Sequence, residues 1–315
     1  MKKHFNVAFQ MDPWNIINPK ADSTYMLALE AQQRGYKLFY YSPKDLSLDN
    51  GIVKAKGNYF SLHPDKKKFF QLQKTKVVHL NSMQVVLVRQ DPPFNMNYIT
   101  ATYILENLPK KILVINNPTH IRNYPEKLSM FEFKNIIPKT LVSSNLDEIL
   151  HAHQKNKISI AKPLYGNGGE GIEKLESNQV KNKVIVQKLL NKYQLPIIIQ
   201  KYIKEINLGD RRIILIDGEY VGSVARIPAK NSIKANFHAG GTAKQTDLVF
   251  RDKKICKMLK PFLKKHGLFF AGIDIIGNYL TEINVTSPTG IQEINRLNKV
   301  NIEKIFWDKV RKKIK

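Results

Sequence analysis

Alternating apolar and polar positions near the end of the chain predict two antiparallel strands joined by a short turn. β-Branched residues occupy every second position on both sides of a turn signal at residues 277–279. We expect a three-residue turn, because a two-residue turn would move Asp274 to the face of the isoleucines, where an ionised carboxylate is costly. The expected pairs are Ile276 with Leu280, Asp274 with Glu282 and Gly272 with Asn284.

This register gives the hairpin one acidic face. Side chains alternate between the two faces of a strand, so Asp274, Glu282 and Asn284 lie together, opposite a face of isoleucine and valine. Two carboxylates and an amide oxygen form a hard ligand set that suits Mg²⁺, which usually completes its shell with water and substrate phosphates. The plain alternative is a hairpin whose polar face is solvated.

The first third of the chain alternates between strand and helix patterns. Such β-α-β alternation predicts an open, largely parallel sheet of the α/β class. Asparagine and proline accumulate at residues 116–125, where we expect a domain boundary. The predicted strands are 5–11, 37–41, 85–88 and 112–115, and the predicted helices are 21–34 and 98–107.

The second half of the chain lacks this regular alternation. Its pattern predicts antiparallel sheets with helices on one side, which is an α+β arrangement. Strand patterns occur at 158–163, 197–203 and 211–227, the last interrupted by a turn at Asp217-Gly218. Residues 228–241 have no periodicity, and we interpret them as a mobile loop that could act as a lid.

Composition narrows the choice of function. The chain has 315 residues, 43% of them hydrophobic, and a single cysteine, Cys256, which excludes an internal disulfide framework. The formal charge of +25 raises the possibility of nucleic-acid binding, but the lysines are scattered and no zinc-finger or RNA-recognition signature is present. No segment has the pattern of a signal peptide or a membrane span, so we expect a cytoplasmic protein without a specific nucleic-acid or membrane partner.

A glycine-rich segment at residues 165–171 follows the strand that bears Lys162. Its glycines fit G-x-G-x-x-G, but the next residues are short and strand-like, so no helix opens there and a dehydrogenase is disfavoured. Glycines allow backbone N–H groups to turn toward phosphate oxygens, which predicts an anion-binding loop; an ordinary glycine turn is the alternative. The glycines concerned are Gly166, Gly168, Gly169 and Gly171.

Four cationic side chains are candidates for binding phosphate or carboxylate. Lys127 and Lys162 could contact phosphates, although in so lysine-rich a chain either one alone could be a solvated surface residue. Arg212 and Arg226 lie on predicted strands, where a guanidinium group could bind an anion through two hydrogen bonds or form a surface salt bridge.

Together these residues resemble the bacterial type of glutathione synthetase, a family of the ATP-grasp superfamily. The resemblance runs from Met11-Asp12-Pro13 to the end of the acidic hairpin, and the run 280–289 is its most specific block. The other matching blocks are 29–36, 91–94, 101–106, 126–128, 162–164, 166–171, 209–212, 225–228 and 272–279.

The resemblance implies an N-terminal α/β substrate-binding domain at residues 1–120, followed by an ATP-grasp domain at residues 121–315. It implies ATP-dependent ligation of γ-glutamylcysteine to glycine through an acyl phosphate, with Mg²⁺ or Mn²⁺, in a homo-oligomer that is a tetramer by analogy with relatives. The implied metal ligands are Asp274, Glu282 and Asn284. The implied ATP contacts are Lys127, Lys162, the four glycines, Gln200, Tyr202, Ile203 and Asp210. The implied catalytic residues are Arg212, Arg226 and Lys234, and the implied peptide contacts are Arg226, Lys234, Ser287 and Thr289.

Three positions depart from the family pattern. Tyr165 stands where relatives commonly have Asp, Gln90 replaces a commonly basic residue, and Lys234 replaces an arginine of the mobile loop. Lysine keeps the charge of arginine but loses its two-pronged geometry, so we expect altered affinity with activity retained. The close alternative is another ATP-grasp carboxylate–amine ligase, which would use the same ATP and metal residues on a different substrate. A basic nucleic-acid-binding protein is the non-enzymatic alternative.

Overall fold

The computed structural model describes residues 5–166, 168–230, 232–237 and 240–314. The first helix illustrates how local sequence sets its limits, since Asp22 accepts a hydrogen bond from the Tyr25 amide at the start and Gly35 ends the turn at φ +75°. The strands and α-helices of the first part are β1 (Asn6–Gln10), α1 (Ser23–Gln33), β2 (Lys37–Tyr41), β3 (Leu46–Asp49), β4 (Ile52–Leu62), β5 (Phe70–Leu72), β6 (Lys76–His79), β7 (Val85–Val88), α2 (Met96–Leu105), β8 (Leu113–Ile115) and α3 (Pro118–Asn123).

These strands form one sheet with a parallel centre. The order β2-β1-β7-β8 is parallel throughout, which confirms the strands predicted from the alternating pattern. Strand β4 adds to the edge of β2 in the antiparallel sense and pairs with β3, β5 and β6. Strands β3 to β6 were not predicted from the sequence.

The second part contains two antiparallel sheets, as predicted. One has the order β11-β10-β12-β9 and the other β15-β14-β13-β16-β17. The described residues of 228–241 form no strand, and β15 begins directly after them. The elements are β9 (Thr140–Ser143), α4 (Leu146–Asn156), β10 (Ser159–Pro163), β11 (Glu173–Leu175), α5 (Gln179–Tyr193), β12 (Ile197–Lys201), β13 (Asp210–Ile216), β14 (Glu219–Ile227), β15 (Thr242–Lys244), α6 (Phe250–Lys265), β16 (Phe270–Ile276), β17 (Tyr279–Asn284), α7 (Ile291–Asn298) and α8 (Ile302–Ile314).

The turn between β16 and β17 corrects one prediction. Asp274 pairs with Glu282 and Gly272 pairs with Asn284, as expected, but Ile276 pairs with Tyr279 and not with Leu280. The turn is therefore two residues long. A register irregularity between Asp274 and Ile275 restores the expected faces, because an extra residue in one strand shifts its side chains by one position.

The two halves share one hydrophobic core. Trp14 and Phe9 from the first part pack in the same cluster as Phe306 and Trp307 of α8. The indole N–H of Trp307 donates to the carbonyl of Leu27 in α1 at 2.8 Å. Helix α8 therefore packs against α1 of the N-terminal part, and this contact holds the two parts of the chain together.

No helix among the described residues is long and apolar enough to cross a membrane.

Candidate active site

The β16–β17 hairpin carries the acidic face and is fixed to the N-terminal sheet by a buried amide. Asn116 follows β8, and its Nδ2 donates to the carbonyls of Phe270 and Val285, each at 2.7 Å. Its Oδ1 accepts from the Phe270 amide at 2.7 Å. One side chain therefore satisfies three backbone groups at the two ends of the hairpin and sets the position of its acidic face.

Asp274 is held by two arginines. Arg212 lies opposite it on β13 and donates from Nε and Nη2 at 2.5 and 2.9 Å, and Arg226 approaches Oδ2 from β14 at 2.8 Å. Burial opposes ionisation, but the two guanidinium groups hold the pKa of Asp274 well below its ordinary value. Asp274 is therefore an anion at neutral pH, with both of its oxygens engaged.

Glu282 has the looser contacts of the two predicted carboxylate ligands. The ammonium groups of Lys162 and Lys127 lie 3.6 and 3.9 Å from its Oε1. Burial disfavours the charge of Glu282, but these two cations lower its pKa. Burial also lowers the pKa of Lys162, whereas Glu126 and Glu282 raise that of Lys127 in spite of burial.

Glu126 is a third carboxylate in the cluster, and the sequence interpretation did not single it out. Its Oε1 accepts from Lys127 at 2.9 Å, and its carboxyl lies close to that of Glu282. Burial and the Glu282 charge raise the pKa of Glu126 to about 7, against the opposing effect of Lys127. The residue stands directly before Lys127 in a block that matches the family, which was the signal that could have pointed to it.

Asn284 lies between these groups, and its amide orientation follows from its neighbours. With Nδ2 toward Glu126 Oε2 at 2.6 Å, Oδ1 faces Arg212 Nη2 at 3.2 Å. The opposite orientation would set the amide oxygen against the Glu126 carboxylate and the amide nitrogen against a guanidinium group, and its only favourable contact among the described residues is a long one of 3.4 Å from Nδ2 to Asp274 Oδ2.

The cluster fits a divalent metal through mixed oxygen ligands. Among the described residues, no three His, Cys, Asp or Glu side chains converge as a metal site. The predicted set instead combines two carboxylates with the amide oxygen of Asn284, and Glu282 is the one whose contacts are long enough to be exchanged for a metal. This is an all-oxygen donor set, which is the kind that magnesium and manganese prefer.

The glycine-rich segment at residues 165–171 is in contact with Lys127. The Gly166 carbonyl accepts from Lys127 Nζ at 2.6 Å, which joins the loop to the phosphate-binding candidates. Gly168, Gly169 and Gly171 have φ of +59°, +83° and +68°, a region that favours glycine. The loop also includes Asn167, which lies outside the described residues.

Lys234 of the 228–241 segment lies against the glycine loop. A Cβ at Gly169 would lie 3.4 Å from Cδ of Lys234 and 3.4 Å from Oδ1 of Asn236. The two segments thus pack together over the cluster. Three other residues of this segment, Asn231, His238 and Ala239, lie outside the described residues.

Tyr165 connects the glycine loop to the N-terminal part. Its ring stacks on Phe94 with centroids 5.6 Å apart, and Phe94 contacts Tyr98 of α2 at 5.1 Å. At this position, where the resemblance implies an aspartate, the chain therefore has an aromatic contact between its two parts.

Two cavities meet at the acidic cluster. The larger, about 230 Å³, is lined by Arg212, Arg226, Ser287 and Thr289, together with the glycine loop. The smaller is a largely apolar slot of about 80 Å³ that contains Gln200, Tyr202, Ile203 and Asp210 among its walls. Both are lined by Lys162, Ile172, Asn236 and Glu282, so a ligand could extend from the slot across the cluster.

Two of the predicted residues with different implied roles form an ion pair. Arg226 Nε and Nη2 donate to Asp210 at 2.7 and 2.5 Å. The residue expected near the ribose therefore also orients the arginine expected to bind the peptide.

The turn at residues 287–289, which contains Ser287 and Thr289, is tied to the segment that follows β7 of the N-terminal sheet. Arg89 Nη2 donates to the Pro288 carbonyl at 3.0 Å, and Ser287 Oγ donates to the Arg89 carbonyl at 3.2 Å. Gln90 points elsewhere and accepts from Gln10 Nε2 at 2.7 Å. The departure at Gln90 thus leaves the Arg89 connection in place.

Comparison with known proteins finds the same family in both parts of the chain. The family model of the prokaryotic glutathione synthetase N-terminal domain matches residues 5–122, and that of the ATP-grasp domain matches residues 126–299. A glutathione synthetase of Agrobacterium fabrum is 42% identical over 99% of this chain and 98% of its own, and one of Buchnera aphidicola is 39% identical over 98% and 97%.

Solved structures share the fold at low identity. The D-cycloserine synthetase DcsG has a TM-score of 0.67 at 13% identity and covers 97% of this chain and 99% of its own. D-alanyl-alanine synthetase A from Vibrio cholerae has a TM-score of 0.63 at 11% identity and covers 100% and 99%. At these identities the likeness concerns the fold alone.

The fold and the site define an ATP-dependent ligase of the ATP-grasp class, which uses ATP with a divalent metal. Both family models and the full-length relatives agree on a narrower assignment. The chain belongs to the prokaryotic glutathione synthetase family.

Proposed function

We propose that this protein joins γ-glutamylcysteine to glycine, converting ATP to ADP and phosphate and forming glutathione. The observation that carries the proposal is the single cluster in which Asp274, Glu282 and Asn284 lie beside two buried lysines and two buried arginines. A phosphoryl group needs positive charge around it and a metal beside it, and this cluster offers both.

The phosphate-binding side consists of Lys127, Lys162 and the glycine loop. We assign the apolar slot to adenine, with Gln200, Tyr202 and Ile203 along its wall and Asp210 toward the ribose. The glycine loop then covers the phosphates, with Gly166, Gly168, Gly169 and Gly171 supplying close backbone approach.

The peptide side consists of Arg226, Lys234 and the turn that contains Ser287 and Thr289. Arg212 faces both the cluster and this turn, since its Nη1 donates to the Thr289 carbonyl at 3.3 Å. We assign it to charge on the transferred phosphoryl group. The substrate carboxylate takes the γ-phosphoryl group of ATP, and the glycine amine then attacks the acyl carbon, forming the C–N bond and releasing phosphate.

We assign the metal to Mg²⁺, with Mn²⁺ as a substitute, held chiefly by Glu282 and Asn284 and adjoining Asp274. Bound there, the metal would neutralise charge on the triphosphate. The looser contacts of Glu282 support this assignment, because both oxygens of Asp274 are already engaged by arginines.

Three further assignments are proposals that follow from the family. They are a division between the N-terminal domain at 1–120 and the ATP-grasp domain at 121–315, a homotetrameric assembly, and a cytoplasmic location without a specific nucleic-acid partner.

A coupled assay tests the reaction. The protein is incubated with ATP, Mg²⁺ and γ-glutamylcysteine, with and without glycine, and ADP and peptide product are followed. We expect turnover that depends on glycine. Turnover with another amine but not with glycine would contradict the assignment and point to a ligase with a different substrate.

Glu282→Ala tests the metal assignment within the same assay. We expect turnover to be lost while the circular dichroism spectrum is retained, because the variant removes the exchangeable carboxylate and leaves the strand pairing intact. Exposed Glu132→Ala is the matched control and should keep parent activity. A Glu282→Ala variant that kept most of its activity would rule out the metal site.

A further inference from the structure

Glu126 is bound to the acidic cluster through both its backbone and its carboxylate. Its carbonyl accepts from the Ile283 amide at 3.1 Å, which fixes it beside β17. Its two carboxylate oxygens face different neighbours. Oε1 accepts from Lys127 at 2.9 Å, and Oε2 lies 2.6 Å from the Asn284 amide nitrogen in the amide orientation assigned above from the neighbouring donors and acceptors.

The contact with Asn284 selects one of two amide orientations. A side-chain amide can bind a metal only through its oxygen, and a rotation of 180° would present the nitrogen in its place. Glu126 is an acceptor on one side of the amide, and Arg212 is a donor on the other. The oxygen is therefore directed toward the side where Arg212 holds Asp274.

We infer that Glu126 is a positioning residue that orients the Asn284 amide so that its oxygen is available to the metal. The inference rests on the metal assignment proposed above. Partners of this kind fix the orientation of a ligand before the metal arrives, so their removal weakens metal binding without removing a ligand.

The competing explanation gives Glu126 a purely electrostatic role, as the counterion of Lys127 and a source of negative charge for the metal. The two explanations differ in what they expect when Asn284 becomes aspartate. A carboxylate has two equivalent oxygens and needs no orientation, whereas a charge contribution from Glu126 would persist in either background.

A double-mutant cycle on Mn²⁺ affinity separates them. Free Mn²⁺ is measured by electron paramagnetic resonance in the presence of ADP for the parent, Glu126→Ala, Asn284→Asp and the double variant. We expect Glu126→Ala to weaken Mn²⁺ binding by about tenfold or more. In the Asn284→Asp background, the same change should alter affinity by less than about twofold.

Circular dichroism shows whether the Glu126→Ala variant is folded, and Glu126→Gln provides a second test if it is not. Its amide oxygen can still accept from Asn284, so we expect an affinity close to that of the parent. A Glu126→Gln variant that bound Mn²⁺ about tenfold more weakly than the parent would overturn the inference, because the charge of Glu126 and not the orientation of Asn284 would then determine affinity.

The remaining outcomes are also decisive. Equal losses in the two backgrounds, or parent affinity in a folded Glu126→Ala variant, would overturn the positioning role. If the parent with ADP bound Mn²⁺ no better than Glu282→Ala does, the metal assignment itself would fail. Glu132→Ala serves as the control and should match the parent.

Discussion

Two adjacent arginines on β13 each form an ion pair with an aspartate, but the two ion pairs lie on opposite faces of the sheet. Arg211 binds Asp252 of α6 through two hydrogen bonds of 2.8 Å, while Arg212 binds Asp274 in the cluster through 2.5 and 2.9 Å contacts. Successive strand residues face opposite sides of the sheet, so one pair belongs to the packing of α6 and the other to the active site. Substitution of each arginine in turn therefore compares a contact in the active site with a contact that only packs α6.

We expect Arg212→Lys to lower kcat about hundredfold, because lysine cannot reproduce the paired hydrogen bonds and leaves developing charge less stabilised. Arg211→Lys should lose roughly 1–2 kcal/mol of unfolding free energy and keep nearly all of its kcat. Steady-state kinetics and urea denaturation measure the two effects. Equal kcat losses in both variants would contradict the separate roles.

At the residue scale, the sequence predicted the acidic and cationic residues but not all of their partners. Strand periodicity was sufficient to place Asp274 beside Glu282, because both lie in one hairpin. Glu126 meets Asn284 only because the chain folds back over more than 150 positions, and no local pattern encodes that contact. The ion pair between Asp210 and Arg226 was also not predicted, because the two residues were assigned different roles.

At the scale of elements, the acidic hairpin shows how a correct register can come with a wrong turn. Desolvation cost fixed the faces, because it depends on which side chains are buried. Turn length was then inferred by assuming regular pairing, but the irregularity after Asp274 allowed a two-residue turn at Gly277-Asn278 with the same faces. Strands β3 to β6 were not predicted, because β-α-β alternation indicates only the parallel strands of that part.

The glycine loop supports a prediction with a control elsewhere in the chain. Gly171 and Gly35 have similar backbone angles, φ +68° and +75°. A Cβ at Gly171 would lie 2.5 Å from the hydroxyl of Tyr193, whereas a Cβ at Gly35 meets nothing within 4 Å.

We expect each Gly→Ala variant to cost at least about 1 kcal/mol of unfolding free energy, owing to the left-handed backbone. Only Gly171→Ala should also raise the KM for ATP, because relief of the Tyr193 clash moves the loop that covers the phosphates. Denaturant titration and ATP kinetics test this. An unchanged KM in Gly171→Ala would show that the loop does not contact ATP.

The Tyr165–Phe94 contact gives a second prediction for the same loop. Aromatic pairs contribute about 0.5–1.5 kcal/mol beyond their buried area, so Tyr165→Ala and Phe94→Ala should each loosen the loop and raise the KM for ATP several-fold. The KM for ATP of the double variant should be no higher than that of either single variant, because each substitution removes the same contact between the two rings. KM values that multiplied in the double variant would mean that the two rings act independently.

At the scale of the whole molecule, the shared core predicts cooperative unfolding. Both tryptophans of the chain, Trp14 and Trp307, are buried in one cluster that joins the N-terminal sheet to α8. We expect urea unfolding followed by tryptophan fluorescence and by far-ultraviolet circular dichroism to coincide in a single transition. Separate midpoints would contradict this and indicate that the two parts unfold independently.

Fold class and the broad architecture were predictable because alternation and composition report on layers of sheet and helix. The contacts that join the two parts could not be predicted, because they connect groups far apart in sequence. An example is the contact of Asn116 with the ends of the acidic hairpin. The family resemblance supplied the site residues that periodicity could not.

The most direct measurement for the whole account is a crystal structure of the protein with a non-hydrolysable ATP analogue and Mn²⁺, with the ion located by its anomalous signal. The account predicts an ion between the nucleotide phosphates and the side chains of Glu282 and Asn284, at about 2.0–2.3 Å from their oxygens. A bound nucleotide whose metal ion contacts neither residue would contradict it.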